Sequence, residues 1–459
     1  MAKKLLIVIS SLLISIFALC ACGYNPKPIE HEDYSKADVV GNGGLAVKQG
    51  KYLYFVNGVS DYTSSNKIGA VVKGAIMRYT LDEQDNITGD PVTIVPKKVF
   101  SSYAGAGIYV YGDWIYYVTP SEVSSASGKT LTDYIEFMRT KVDGTGTQTI
   151  KRIEGNSTQY AFINGFLVYY SDNKLVSINC ENKKETVISE TVSSYYIPKV
   201  VNKADSKITD ADNLVYFIEN KPEDDKSSKT YNSLYAVTAD GNIKVKLITF
   251  DTYDKGNDYT KCYTLSISGY ADDVLYFVKS YTANGESTTA GTYAYNFKDF
   301  MSADAAYEAS RETKITPINY SMIYPMENGK YLLADSSDMY IYDSTAATYD
   351  KLNKEDSFVT ITKLNNIKDG YVYYTGSSQK LYRYKLDGTK VVEPLIKDTF
   401  DTTFLYPTLI GENVYYIKSD DYKYCYVAKI GDKEGKMIGI MSEADESAKA
   451  SASASATAK

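Results

Sequence analysis

Gly370-Tyr371-Val372-Tyr373-Tyr374, then Gly376-Ser377-Ser378, then Leu381-Tyr382-Arg383-Tyr384-Lys385-Leu386, then Asp387-Gly388, reads as strand, turn, strand, turn. The first run is rich in Tyr and Val, which favour strands. The second alternates polar and apolar residues, as a half-buried strand does. Asp-Gly is a hairpin turn signal. Upstream, residues 359–364 form another β-forming run ahead of Lys368-Asp369-Gly370, and downstream residues 391–396 form a fourth. Four runs joined by short turns predict a four-stranded antiparallel sheet.

The same unit recurs. Tyr-centred runs stand at 52–56, 114–118, 167–170, 214–218, 274–278, 331–334, 371–374 and 414–417, with central residues 40 to 62 positions apart. Each is second in its set of four. Repetition at this period marks a solenoid, a propeller or an array. Four-stranded sheets repeated around an axis are propeller blades. The fold class expected is therefore all-β, an eight-bladed β-propeller over residues 38–441. The sixth run carries Leu333 where the others carry Tyr, and without it the count is seven. Each set opens on an innermost strand and ends on an outermost one. Two closures of the ring follow: side-chain packing alone, or residues 37–40 adding an edge strand to the last blade.

The stretch 370–374 followed by 381–389 resembles the bacterial family of lipoprotein propellers related to the YWTD, low-density-lipoprotein-receptor-like, type. The resemblance covers most of the chain, and it implies a fold but no shared chemistry. The YWTD type itself has six blades and a tryptophan in its tetrapeptide; here Trp114 is the only tryptophan.

The ends of the chain read differently from its body. Lys3 and Lys4 precede an apolar run at 5–19, too short for a span that needs about 20 residues and suited to a secretory signal. It ends in Leu19-Cys20-Ala21-Cys22-Gly23, which resembles the bacterial lipobox. That resemblance implies a signal peptide at 1–21 and a lipidated Cys22 carrying diacylglyceryl and further acyl chains such as palmitate. Cys20, preceded by bulky Leu19, fits less well. The expected location is the extracytoplasmic face of a bacterial membrane. Residues 22–37 read as a flexible lipid-anchored tether, and residues 442–459, rich in Ser, Ala, Lys and Glu, as a disordered tail.

Composition narrows the function. Without the signal peptide the chain holds 48 basic and 57 acidic residues, only five of them arginine. Nucleic-acid partners need clustered basic groups and are not expected. Cys180, Cys262 and Cys425 lie in different repeats without paired spacing, so no disulfide framework or thiolate metal site is expected. His31 is the single histidine and precedes the propeller, which removes Ser-His-Asp and Cys-His chemistry from it. No cofactor fingerprint is present. Carboxylate chemistry stays open, because a glycosidase needs only two acids about 5–10 Å apart.

A binding face is the remaining expectation. Strands alternate in direction, so the loop between strands two and three emerges with the connector to the next blade. These loops are long at 57–74, 120–132, 220–231 and 280–291. The connectors share a ring just before each innermost strand: Tyr103, Tyr160, Tyr195, Tyr263, Tyr320, Phe358 and Phe404. These seven either wedge blades together or surround a site for a glycan, a peptide or a partner protein. The expected role is non-catalytic binding or scaffolding, with a carboxylate glycoside hydrolase and an envelope-assembly scaffold as alternatives.

Overall fold

The computed structural model describes residues 24–59, 66–99, 107–121, 134–154, 160–198, 209–222, 230–248, 262–283, 286–298, 308–316, 320–352, 360–387, 394–401 and 407–440. It is all-β, with eight antiparallel sheets in sequence order. The only helical elements described are short 3₁₀ turns, such as Ala211–Asn213. Six sheets have four strands in simple meander order. Blade 7 shows three, Ile361–Lys368, Tyr371–Gly376 and Leu381–Lys385. Part of its expected fourth strand lies outside the described residues, although the Leu395 amide donates to the Leu381 carbonyl at 2.9 Å on that edge.

The sheets form a ring because each buries its faces against two neighbours. One apolar cluster joins blades 2, 3 and 4, another blades 4 and 5, and others blades 5 and 6, 6 and 7, and 7 and 8. The last joins blade 8 to blades 1 and 2 through Tyr415, Ile417 and Ile438 against Leu53, Phe55 and Met77. Two-sided burial explains the Tyr-centred runs. The second strands Tyr52–Val56 and Asn413–Ile417 are buried at every position, so they show unbroken apolar runs rather than alternation. Tyr54, Tyr117, Tyr216, Tyr276 and Tyr416 are among the largest fully buried side chains. The weak sixth run is a true blade: Lys330–Ala334 pairs on both sides, and Leu332 and Leu333 are fully buried.

The ring closes differently from one of the two alternatives. Val39–Val40 does not join the last blade; it pairs with Lys48 and Gln49 as an extra innermost strand of blade 1. Blades 8 and 1 meet instead through separate contacts. Leu45 N–H donates to Thr408 Oγ1 at 3.1 Å, Val59 N–H to the Tyr422 carbonyl at 2.8 Å, and Tyr79 O–H to the Ile438 carbonyl at 2.7 Å. Gly58 makes the approach feasible. Its φ is +70°, and a Cβ there would stand 1.9 Å from the Lys423 carbonyl oxygen.

The stretch just before the propeller also differs from expectation. Residues 24–37, read as a flexible tether, lie against blades 1 and 2. Ile29 N–H donates to the Asp143 carbonyl at 3.0 Å, and Arg78 Nη2 to the Glu30 carbonyl at 2.7 Å. His31 stacks on Tyr52 with centroids 4.6 Å apart, and Tyr52 O–H accepts the Glu32 amide at 3.0 Å. A segment without apolar periodicity is thus held by polar contacts, by ring contacts of His31 and Tyr34 with Tyr52, and by Ile29 and Tyr34 packed against the blade 1 core. The expected signal peptide at 1–21, Cys22 and the expected tail at 442–459 lie outside the described residues.

Candidate functional site: the projecting face

At two of the four long loops the flanking strands run further than expected. In blade 4 the second strand runs Leu214–Pro222 and the third Thr230–Thr238, paired out to Pro222 with Thr230. In blade 5 the strands run Val274–Ala283 and Glu286–Asn296, paired out to Ala283 with Glu286. The innermost strand of blade 5, Cys262–Ala271, rises with them and pairs Cys262 with Thr282. Blade 5 therefore carries a three-stranded extension on the same face as the blade connectors. The sequence holds a signal for it: Asn284-Gly285, between the paired ends, is the dipeptide most favoured in two-residue hairpin loops.

Parts of these extensions have no outer partner strand among the described residues. The outer strand of blade 5, Glu312–Thr316, pairs with the third strand only from Thr292 onward. Residues 286–291 therefore have no outer ladder partner among the described residues. In blade 4 the outer strand Lys244–Ile248 reaches only Leu234, leaving residues 230–233 in the same state. An open strand edge presents a row of backbone donors and acceptors to another extended chain.

The described part of the blade 1 loop is pinned at Asn66. Asn66 is fully buried, and its Nδ2 donates to Thr119 Oγ1 at 2.8 Å and to the Pro120 carbonyl at 2.6 Å. Its Oδ1 accepts the Lys98 amide at 2.8 Å. The loop at 120–132 lies almost wholly outside the described residues.

Among the seven connector rings, Tyr160 is 2% exposed and packs edge-on against Phe137 of blade 2, with centroids 5.0 Å apart. Tyr195 is half-buried and stacks on Tyr170 of blade 3 at 4.7 Å. Tyr320, also half-buried, meets Tyr340 edge-on at 6.1 Å. Tyr160 and Tyr195 thus occupy blade-to-blade seams. Tyr263 lies on the innermost strand of blade 5, within its extension. Tyr103, Phe358 and Phe404 lie outside the described residues.

The opposite face holds a carboxylate pair that sequence reading left unassigned. Tyr270 O–H reaches Asp212 Oδ1 at 3.0 Å and Asp273 Oδ1 at 3.2 Å. The other Asp212 oxygen accepts the Thr209 amide at 2.8 Å and its hydroxyl at 3.0 Å. Thr209 Oγ1 also hydrogen-bonds Asp273. Burial, then nearby Tyr216 and the two carboxylates, push the Tyr270 phenol far above its ordinary value. The network ties the turns of blades 4 and 5 together. On the innermost strand of blade 7, burial pushes the half-buried Lys363 ammonium down to about 8. Among the described residues no group of three His, Cys, Asp or Glu side chains is arranged to hold a metal ion.

One device recurs that the sequence did not reveal. Arg78, Arg139 and Arg383 stand opposite Tyr54, Tyr116 and Tyr373 on third strands of blades 1, 2 and 7. Each guanidinium covers the ring two residues earlier: Tyr52 at 4.2 Å, Trp114 at 4.0 Å and Tyr371 at 4.5 Å. The single tryptophan is thus a stacking platform at a position where other blades use tyrosine.

No known family profile matches the chain, and no curated protein matches it. Solved structures with some likeness are all distant. The tricorn protease is 11% identical with a TM-score of 0.38; 81% of this chain is covered, but only 35% of the protease, so the chain spans about a third of that protein. The propeller domain of the Trilobed protease from Pyrococcus furiosus is 10% identical with a TM-score of 0.38, over 86% of this chain and 93% of that one. BamB from Moraxella catarrhalis is 9% identical with a TM-score of 0.37, over 83% and 96%.

Proposed function

We propose that this chain is a lipid-anchored, extracytoplasmic binding protein of a bacterial envelope, in which blades 4 and 5 capture an extended segment of a peptide or partner protein. The observation that carries this reading is the blade 5 extension, whose residues 286–291 have no outer ladder partner among the described residues. Adding a strand to such an edge supplies main-chain hydrogen bonds for affinity, and neighbouring pockets supply specificity. A polypeptide suits this edge better than a glycan does, because Tyr160 and Tyr195 are engaged in seams between blades. The anchor is assigned to Cys22 from its lipobox, and the likeness to lipoprotein propellers of the YWTD-related kind agrees with it.

A carboxylate hydrolase, which needs two acids about 5–10 Å apart, would centre on Asp212 and Asp273, the two acids that share Tyr270 and Thr209. Asp212 already accepts bonds at both oxygens, which favours a structural tie.

The test removes the blade 5 extension by joining Ser280 to Thr289, a register pair, through an Asn-Gly turn. The trimmed protein is expected to lose chemical cross-linking to its envelope partner while staying folded and membrane-bound. Undiminished cross-linking by the trimmed protein overturns the assignment.

A further inference from the structure

We infer that the rim of blade 1, bearing residues 66–74 and the docked segment that precedes the propeller, rests on the lipid headgroups, so that the wheel stands on its edge with blade 5 turned away from the membrane. This rests on the lipidation of Cys22 proposed above.

The argument starts from where the docked segment begins. Tyr24 packs on Gly69 in the 66–74 stretch, so closely that a Cβ on Gly69 would stand 2.6 Å from its ring. From there the segment is held at Ile29 by the Asp143 carbonyl, at Glu30 and His31 by Arg78, and at Glu32 by Tyr52. Cys22 is two residues before Tyr24, so its sulfur stem begins at most about 7 Å of chain away. A free linker spanning 22–37 would instead let the body wander by about 20 Å r.m.s.. Docking removes that freedom and places the acyl chains beside one rim.

The rim suits the surface it would meet. Nearest Cys22, residues 24–29 and 66–74 contain Lys27, Lys67 and Lys73 and no carboxylate, in a chain whose acids outnumber its bases 57 to 50; Glu30, Glu32 and Asp33 follow further along the segment, toward Tyr52. Lys27 and Lys67 are exposed. Lysines beside a lipid anchor are attracted to anionic headgroups within a Debye length of the surface. In a ring of eight, blade 5 lies across from blade 1, so the extension stands on the far side of the wheel from the anchor, projecting along the ring axis.

The experiment uses the full, lipidated protein in vesicles of phosphatidylglycerol and phosphatidylcholine containing a headgroup-nitroxide lipid. A fluorophore is attached at A70C, on the rim, or at T345C, on blade 6; both residues are exposed. Native Cys180 and Cys425 are buried, and Cys262→Ser removes the third thiol of the propeller. Quenching is expected to be several-fold stronger at position 70 than at 345. It is expected to fall toward the value at 345 when a Gly/Ser insert of about twelve residues, with an r.m.s. span of about 20 Å, follows Gly23. Equal quenching at both sites, or no effect of the insert, overturns the inference. The mass of the N-terminal peptide separates the two readings: absence of the diacylglyceryl group overturns lipidation itself, while its presence with equal quenching overturns only the docked pose.

Discussion

His31 and Arg78 hold the preceding segment at one point. Arg78 Nη1 lies 2.9 Å from His31 Nδ1, so the imidazole must be neutral and accepting there. Burial, and then Arg78, lower the His31 value below its ordinary 6.5, while Asp143, Asp113 and Asp33 oppose the shift. A depressed value means that protonation favours the undocked state. The contact is at full strength above 6.5 and weakens as pH falls through the lower folded value. As the only histidine, His31 gives one imidazole resonance, expected to titrate below 6.5; a midpoint at or above 6.5 contradicts the docking. Arg139 is 6% exposed, bonds Gln148 Oε1 at 2.9 Å and covers Trp114. Arg139→Ala is expected to lower stability by about 1–3 kcal/mol in urea unfolding. Arg139→Lys is expected to restore less than half of that, because a lysine lacks the planar stack. The Cys180 thiol is pushed up to about 12 by burial, and that of Cys425 higher still. Both are expected to resist alkylation until the protein unfolds, as peptide mass shifts would show. The buried tyrosines were legible in the sequence because they recur. The arginine platforms were not, because they depend on a cross-strand register that spacing along one strand does not contain.

At the scale of elements, the blades were readable and their projections were not. Turn residues and Tyr-centred runs located all eight second strands. The 280–291 stretch is hydrophilic, and hydrophilicity suggested a loop. Thr282, Thr288 and Thr289 are nonetheless good strand formers, and pairing with Ser287, Ser280 and their neighbours gives their backbone groups partners. The docked segment escaped notice for a different reason: polar contacts to Tyr52, Arg78 and Asp143 carry no periodicity. Trimming the blade 5 extension removes strand that stands above the blade body. The trimmed protein is expected to melt within about 2 °C of the parent, since the register pairs from Ser280 with Thr289 down to Val274 with Asn296 are kept. A much larger loss in calorimetry would make the extension part of the fold's support and not a free element.

For the whole molecule, closure depends on the seam between blades 8 and 1, where no strand is shared among the described residues. The sequence left closure undecided because the residues that meet there, Leu45 with Thr408 and Tyr79 with Ile438, lie more than 350 positions apart. Gly58→Ala would thrust a methyl group into the Lys423 carbonyl at a backbone conformation that favours glycine. It is expected to cost about 3 kcal/mol in unfolding measurements, whereas Gly269→Ala, with nothing within 4 Å, is expected to change little. The ring also sets the two proposed poles of the molecule apart, the anchor at blade 1 and the capture edge at blade 5. Photo-crosslinking in the bacterial envelope, with benzoylphenylalanine placed at Ala70 or at Thr288 of the lipidated protein, reads both poles at once. The account predicts lipid adducts from position 70 and a discrete protein adduct from position 288. Lipid adducts from position 288, or a protein adduct from position 70 alone, would contradict it.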